Sequence, residues 1–196
     1  MCPLPLIALS LFAVDVEPHT TSTMFVDSTD LYAALPADLQ QQLEGLEAMH
    51  VLPAQGYEDH IRSTTPGGPE VDLRLPHQNH PVVLPHPVTG EKILFVNKML
   101  TDRIVDVDDA TSEELLGGIF ETSYLPSNIY EHVWAMGDLV IWDNLAVQHA
   151  RGDQSHLTRR TLRRVVCGEL GFFEQQPEMR FEEGEAGVGA PPVLAQ

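Results

Sequence analysis

The sequence predicts a mixed α+β fold, mainly β, with its helices grouped outside a sheet or barrel. Short apolar runs bounded by Pro, Gly and polar residues recur from PLPLIALSLFAV near the start to TLRRVVCGEL at residues 161–170. Helical spacing is confined to a few segments between them. The length of 196 residues at 43% hydrophobic content suits one domain with a proper core and little more.

The elements follow in order. PLPLIALSLFAV reads as a buried strand. It has no positive flank, is followed at once by Asp15 and Glu17, and shows no small-residue cleavage pattern, so a signal peptide is not expected. At roughly a dozen residues it is too short to span a bilayer. A chain that opens in mid-strand reads as though a segment upstream were missing. Ser28 is the expected cap of a helix reaching Leu35, and Pro36 then opens a second helix over ADLQQQLEGLEAMH, with Leu39, Leu43 and Leu46 on one face. Residues 53–80, rich in Pro, Gly, His and charge, are expected to form a lid or binding loop. PVVLPHP and KILFVN flank Thr89-Gly90 as a hairpin. TSEELLGGIFETSY is a helix, with Thr111 and Glu114 spaced as a capping box. EHVWAMGDLVIWDNLAVQHA and TLRRVVCGEL are strand regions. The domain is expected over residues 1–173, and the acidic, Gly/Pro-rich segment 174–196 to be disordered.

Charge narrows the function classes. A formal net charge of −18, from 11 Lys and Arg against 29 Asp and Glu, argues against nucleic acid and anionic membranes, both of which reward basic surfaces. A small molecule is the expected partner, and a homo-oligomer is open. Two cysteines, Cys2 and Cys167, make neither a disulfide framework nor a zinc motif, so a reducing cytoplasm is expected. Trp134 and Trp142 read as core residues. His77, His80 and His86, interleaved with prolines, read as structural, and Asp143 and Asn144 as fixing the turn before His149.

Against that acidity, residues 141–165 hold His149 and then five arginines within fifteen positions. On a strand, alternation puts Arg160, Leu162 and Arg164 on one face, the two arginines roughly 13 Å apart at about 3.3 Å per residue. Two guanidiniums facing one interior suit a small anion, because the planar fork matches carboxylate or sulfonate oxygens bidentately. On spacing alone, surface pairing with the many acidic groups is the simpler account. His149 on the preceding strand shifts the balance, since a histidine beside an anion site reads as a metal ligand.

GDLVIWDNLAVQHARGDQSHLTRRTLRR resembles the C-terminal motif of the taurine dioxygenase (TauD/TfdA-like) family of iron(II)- and 2-oxoglutarate-dependent dioxygenases. HPVVLPHPVTGEKILFVNKMLTDRIVDV is similar to the family's central block, and TMFVDSTDLYAALPADLQQQLEGLEAMH to its helical block. The resemblance runs in order from about Pro3 to Glu169. It implies a double-stranded β-helix, a jelly-roll of cupin type with flanking helices, here N-terminally incomplete. It also implies Fe(II), 2-oxoglutarate and O2 as cofactor and co-substrates, and a small, anionic substrate of the taurine or sulfonate class. His149 looks like the distal iron ligand. Arg160, eleven residues on, looks like the arginine that grips the far carboxylate of 2-oxoglutarate, assisted by Thr23. Arg164, fifteen on, looks like the arginine near the iron that helps to hold the substrate anion.

One departure matters. The family's iron site also needs His-x-Asp or His-x-Glu, and the residues two beyond the nine histidines are Thr21, Leu52, Arg62, Asn79, Val82, Val88, Trp134, Arg151 and Thr158. The chain therefore offers iron one family ligand of three. Three readings follow: a dioxygenase whose sequence begins too late; a non-catalytic remnant that binds a small anion through Arg160 and Arg164; or a rebuilt site using Asp15, Glu17 or His19.

Overall fold

The computed structural model describes residues 6–17, 21–51, 77–152 and 159–168. The expectations for residues 53–76, for the tail 174–196 and for His19 lie outside the described residues. In chain order the elements are β1 (Ala8–Val16), β2 (Ser22–Asp27), α1 (Ser28–Ala34), α2 (Ala37–Leu43), β3 (Glu47–Val51), β4 (His77–Pro81), β5 (Val83–Pro85), β6 (Lys92–Leu94), β7 (Thr101–Ile104), α3 (Asp109–Ser123), β8 (Tyr130–Val133), β9 (Leu139–Asp143), β10 (Val147–Arg151) and β11 (Arg160–Cys167). Hydrogen-bonded orders are β11-β1-β9, β10-β2-β8, β4-β3-β7 and β5-β6. Strands dominate, as expected. No helix among the described residues is long and apolar enough to cross a membrane.

The chain divides into two compact units, one built from residues 25–130 and 145–148, the other from residues 2–24, 131–144 and 149–196. In the first, α1 is capped by Asp27, whose Oδ1 accepts from the amides of Thr29 and Asp30 at 2.8 and 3.3 Å. The expected cap, Ser28, is instead the first helical residue, because the carboxylate one position earlier reaches the orphan amides. α3 is likewise capped by Asp108, which accepts from the Thr111 amide at 2.8 Å, in place of the expected Thr111 box.

The expected second helix stops at Leu43 rather than reaching His50. Gly45 takes φ +78°, a left-handed turn that side chains resist, and the chain leaves as β3. Pairing with β4 and β7 then buries Ala48, Met49, His50 and Val51 together, which one helical stripe would not do. The same pairing makes residues 77–80 strand rather than the end of a loop. The hairpin forms as read, with β5 antiparallel to β6 and Gly90 at φ +75°. His86 is structural, its Nδ1 accepting from the amides of Val88 and Thr89. The core joins Val26, Leu31, Leu43, Val82, Leu94, Ile104 and Ile119.

His50 sits within this unit, buried. Its Nδ1 lies 3.3 Å from Thr101 Oγ1, and its ring is edge-on to His80 at 5.6 Å and 5.8 Å from Phe95. Its Nε2 is buried without a hydrogen-bond partner. Burial, then the charge of His80, pushes its pKa down to about 4.

In the second unit β1 is the central strand, antiparallel to both β9 and β11. A bulge between Ala13 and Asp15 changes the strand's parity, so that Leu11, Ala13 and Val16 pair opposite Arg164, Leu162 and Arg160 and all face one side. That side is the core, where Ala13, Val16 and Trp134 pack with Leu11, Val140 and Leu162. Trp134 and Trp142 are buried, as expected. Asn144 ties the turn after β9 to the start of β1, donating from its backbone N–H to Ile7 O at 2.8 Å and from Nδ2 to Leu6 O at 3.1 Å.

Candidate functional site

Every residue singled out for binding falls in the second unit. Alternation along β11 holds, with Arg160, Leu162 and Arg164 opposite the core-facing residues of β1. Arg160 is half-buried, and its Nε donates to Thr21 Oγ1 at 2.9 Å. Burial, then the charge of Arg151, disfavours its charged form. The same two causes act on Arg164, although that residue is exposed. The surrounding protein weakens hydration of the Arg164 guanidinium without covering the side chain, which stays open to solvent.

His149, on β10, stacks obliquely on Trp142 with ring centroids 4.9 Å apart. Burial, then the charge of Arg164, pushes its pKa down to about 4. The imidazole is therefore neutral at pH 7 and keeps a lone pair for a metal or a proton. The structure thus gathers His149, Arg151, Arg160 and Arg164 within electrostatic reach of one another. Just beyond β10, Gly152 donates to Ser22 O at 3.3 Å, and a Cβ there would meet Ser22 Oγ at 2.5 Å.

Thr23 is buried, and its Oγ1 accepts from Trp134 Nε1 at 3.0 Å. The hydroxyl in contact with Arg160 belongs to Thr21, which the sequence reading passed over. A signal was there: residues 21 and 23 share a side of an extended chain, so a role for one nominates the other. Arg151 was missed in the same way, two positions beyond His149 on β10.

Residues 4–166 match the family described as "Taurine catabolism dioxygenase TauD, TfdA family". The chain is 34% identical over 169 residues to pentalenolactone F synthase of Streptomyces avermitilis, covering 80% of this chain and 54% of that protein. It is 34% identical over 163 residues to the alpha-ketoglutarate-dependent 2,4-dichlorophenoxyacetate dioxygenase of Cupriavidus pinatubonensis, with coverage of 80% and 53%. A crystal structure of a taurine dioxygenase from Burkholderia xenovorans superposes with a TM-score of 0.70 at 27% identity, over 85% of this chain and 53% of that one. The chain belongs to the TauD/TfdA dioxygenase family, and its fold is of that family's jelly-roll class. It spans about half the length of the curated relatives it matches.

Among the described residues the donor set does not fit an iron centre. Among the described residues no three His, Cys, Asp or Glu side chains stand together where they could hold a metal ion. Of the residues considered for a rebuilt site, Asp15 pairs opposite Thr161, on the face of β1 turned away from Arg160, and lies 3.6 Å from Arg159. His149 is the one described residue matching an expected ligand, and a single imidazole is a poor site for iron(II).

Proposed function

We propose that this chain carries the co-substrate-binding part of an iron(II)- and 2-oxoglutarate-dependent dioxygenase that hydroxylates a small anionic organic molecule of the sulfonate class. Such a reaction couples decarboxylation of 2-oxoglutarate to succinate with hydroxylation of the substrate. The observation that carries the reading is the Arg160–Thr21 contact on the core-facing side of β11, with Arg164 further along that face and a neutral His149 near it. A guanidinium steadied by a hydroxyl and partly withdrawn from water is pre-organised for a carboxylate. The name of the relative from Cupriavidus pinatubonensis, with its dependence on alpha-ketoglutarate, supports the choice of co-substrate. Arg164, exposed on the same face, suits a second anion.

A second reading has a specific observation in its favour. The described residues lack a three-donor metal cluster, which fits a protein that binds a small anion through Arg160 and Arg164 without turning it over.

Calorimetric titration of 2-oxoglutarate into the metal-free chain tests what the two readings share. Binding that Arg160→Ala abolishes is the expected result, and no binding by a folded wild-type chain would overturn both. Anaerobic addition of iron(II) with 2-oxoglutarate tests whether this chain rebuilds an iron site of its own, which a visible charge-transfer band would show. The intact mass of the native protein separates the two readings: a mass well above 21.7 kDa favours the dioxygenase, and a mass near it favours the anion-binding protein.

A further inference from the structure

Arg151 stands in one row with the residues already placed at the site. Gly152 N donates to Ser22 O, and Ser28 N donates to Ala146 O at 2.7 Å. Equal stretches of β2 and β10 separate these two bonds, and residue numbers rise along one strand as they fall along the other. The strands are therefore antiparallel in an unbroken register, which sets Arg151 directly opposite Thr23. Residues opposite each other in such a ladder project to the same side, as do alternate residues of each strand. That side carries Thr21, Thr23, Arg151 and His149. Arg160 reaches the same row, because its Nε donates to Thr21 Oγ1 at 2.9 Å. The order along the row is Arg160 at Thr21, then Arg151 at Thr23, then His149. Arg151 is half-buried, and its charge disfavours the charged forms of both Arg160 and Arg164. No carboxylate among the described residues offsets that repulsion at either guanidinium.

We propose that Arg151 is a further anion-binding residue of this site, which engages the second carboxylate of a dicarboxylate whose first is held by Arg160, and so selects a dianion over a monoanion. That role rests on Arg160 being the anchor described above, and concerns the other end of the same ligand. Thr21 and Thr23 are roughly 7 Å apart along the strand at about 3.3 Å per residue, a spacing that a short dicarboxylate can bridge. Such a ligand, fixed at Arg160 and lying along the row toward His149, passes Arg151. One carboxylate leaves most of the repulsion among three guanidiniums in place, whereas a second carboxylate between them turns repulsion into charge-assisted hydrogen bonds. A guanidinium carries five N–H donors, so Arg151 can serve a ligand in addition to its contacts within the protein.

Calorimetric titration of the metal-free chain with 2-oxoglutarate, glutarate and glutarate monomethyl ester tests this, the ester being measured by competition where its own heat is small. Wild type is expected to bind the two dianions at least about tenfold more tightly than the ester, which offers one carboxylate. Arg151→Gln is expected to weaken both dianions about tenfold and to leave the ester unchanged, so that the preference collapses. Circular dichroism checks that each variant folds, and Arg151→Met takes the place of the glutamine variant if that one does not. Dianion binding that the substitution leaves unchanged overturns the proposal; if Arg160→Ala still abolishes that binding, the reading of Arg160 stands. Equal weakening of ester and dianions also overturns it, because a general loss of positive charge would then account for the effect. A folded wild-type chain that binds neither dianion overturns the reading of Arg160 and the role of Arg151 with it.

Discussion

Trp134 donates its indole N–H to Thr23 Oγ1 at 3.0 Å, with both residues buried. Thr23→Val keeps the side chain's shape and leaves that N–H unpaired in the core. The expected loss is about 1–3 kcal/mol. For a chain of this size the melting temperature falls by about 2–4 °C for each kcal/mol. Thr23→Ser, which keeps the oxygen, recovers most of the loss. A valine variant that melts with the wild type would remove the bond from any structural role. Thr23 can still donate its own hydroxyl hydrogen, so a parallel titration with 2-oxoglutarate shows whether it also serves the ligand.

Thr21 steadies Arg160 through its hydroxyl. Thr21→Val frees the guanidinium to sample other rotamers and leaves its charge in place. The affinity for 2-oxoglutarate is expected to drop roughly tenfold, the worth of one hydrogen bond to a charged group. Arg160→Ala is expected to remove binding altogether. Equal effects of the two substitutions in calorimetry would contradict a steadying role for Thr21.

The buried imidazole of His50, held near pKa 4 against an ordinary 6.5, makes stability depend on pH. Above pH 6.5 the ring is neutral in both states and its contribution is fully present. As pH falls from about 6.5 to 4, the unfolded chain takes up a proton that the folded chain refuses, and the contribution is lost. The loss is on the order of 3 kcal/mol, complete below about pH 4. His80, also lowered chiefly by burial, acts in the same direction. Urea unfolding between pH 4 and 8 should show the slope, and His50→Gln should flatten it. An unchanged slope in the variant would assign the effect to other groups.

Gly45, at φ +78°, has no atom within 4 Å of the position its Cβ would occupy. Gly45→Ala therefore costs only the left-handed backbone penalty, about 1–2 kcal/mol. Gly45→Asn should cost less, because asparagine tolerates that conformation. Denaturant midpoints of the two variants check the order, and an alanine variant as stable as wild type would show that the turn relaxes.

Sequence reading succeeded where periodicity and chemistry agreed. β11 and the shared face of Arg160 and Arg164 follow from strand alternation alone, and the hairpin around Gly90 from its turn residues. It failed where tertiary pairing decided the outcome. LEGLEAMH continues a helical pattern, yet pairing of β3 on both edges, with β4 and β7, makes its last four residues strand. Helix starts were misplaced because Asp27 and Asp108 lay one to three positions ahead of the serine and threonine chosen as caps. Thr21 and Arg151 escaped notice because a resemblance transfers only the positions it already knows.

The bulge in β1 has a consequence for heredity rather than for shape. Val14 is the residue that the pairing skips: Ala13 matches Leu162 and Asp15 matches Thr161, with no partner between. Loss of the single codon for Val14 would leave every other pair of the β1–β11 ladder intact and turn the bulge into regular strand. Gain or loss of one residue elsewhere in β1 would turn the core-facing side chains on one side of it out into water. In this strand, otherwise intolerant of length change, position 14 is where related genes can differ by one amino acid and still align their arginines.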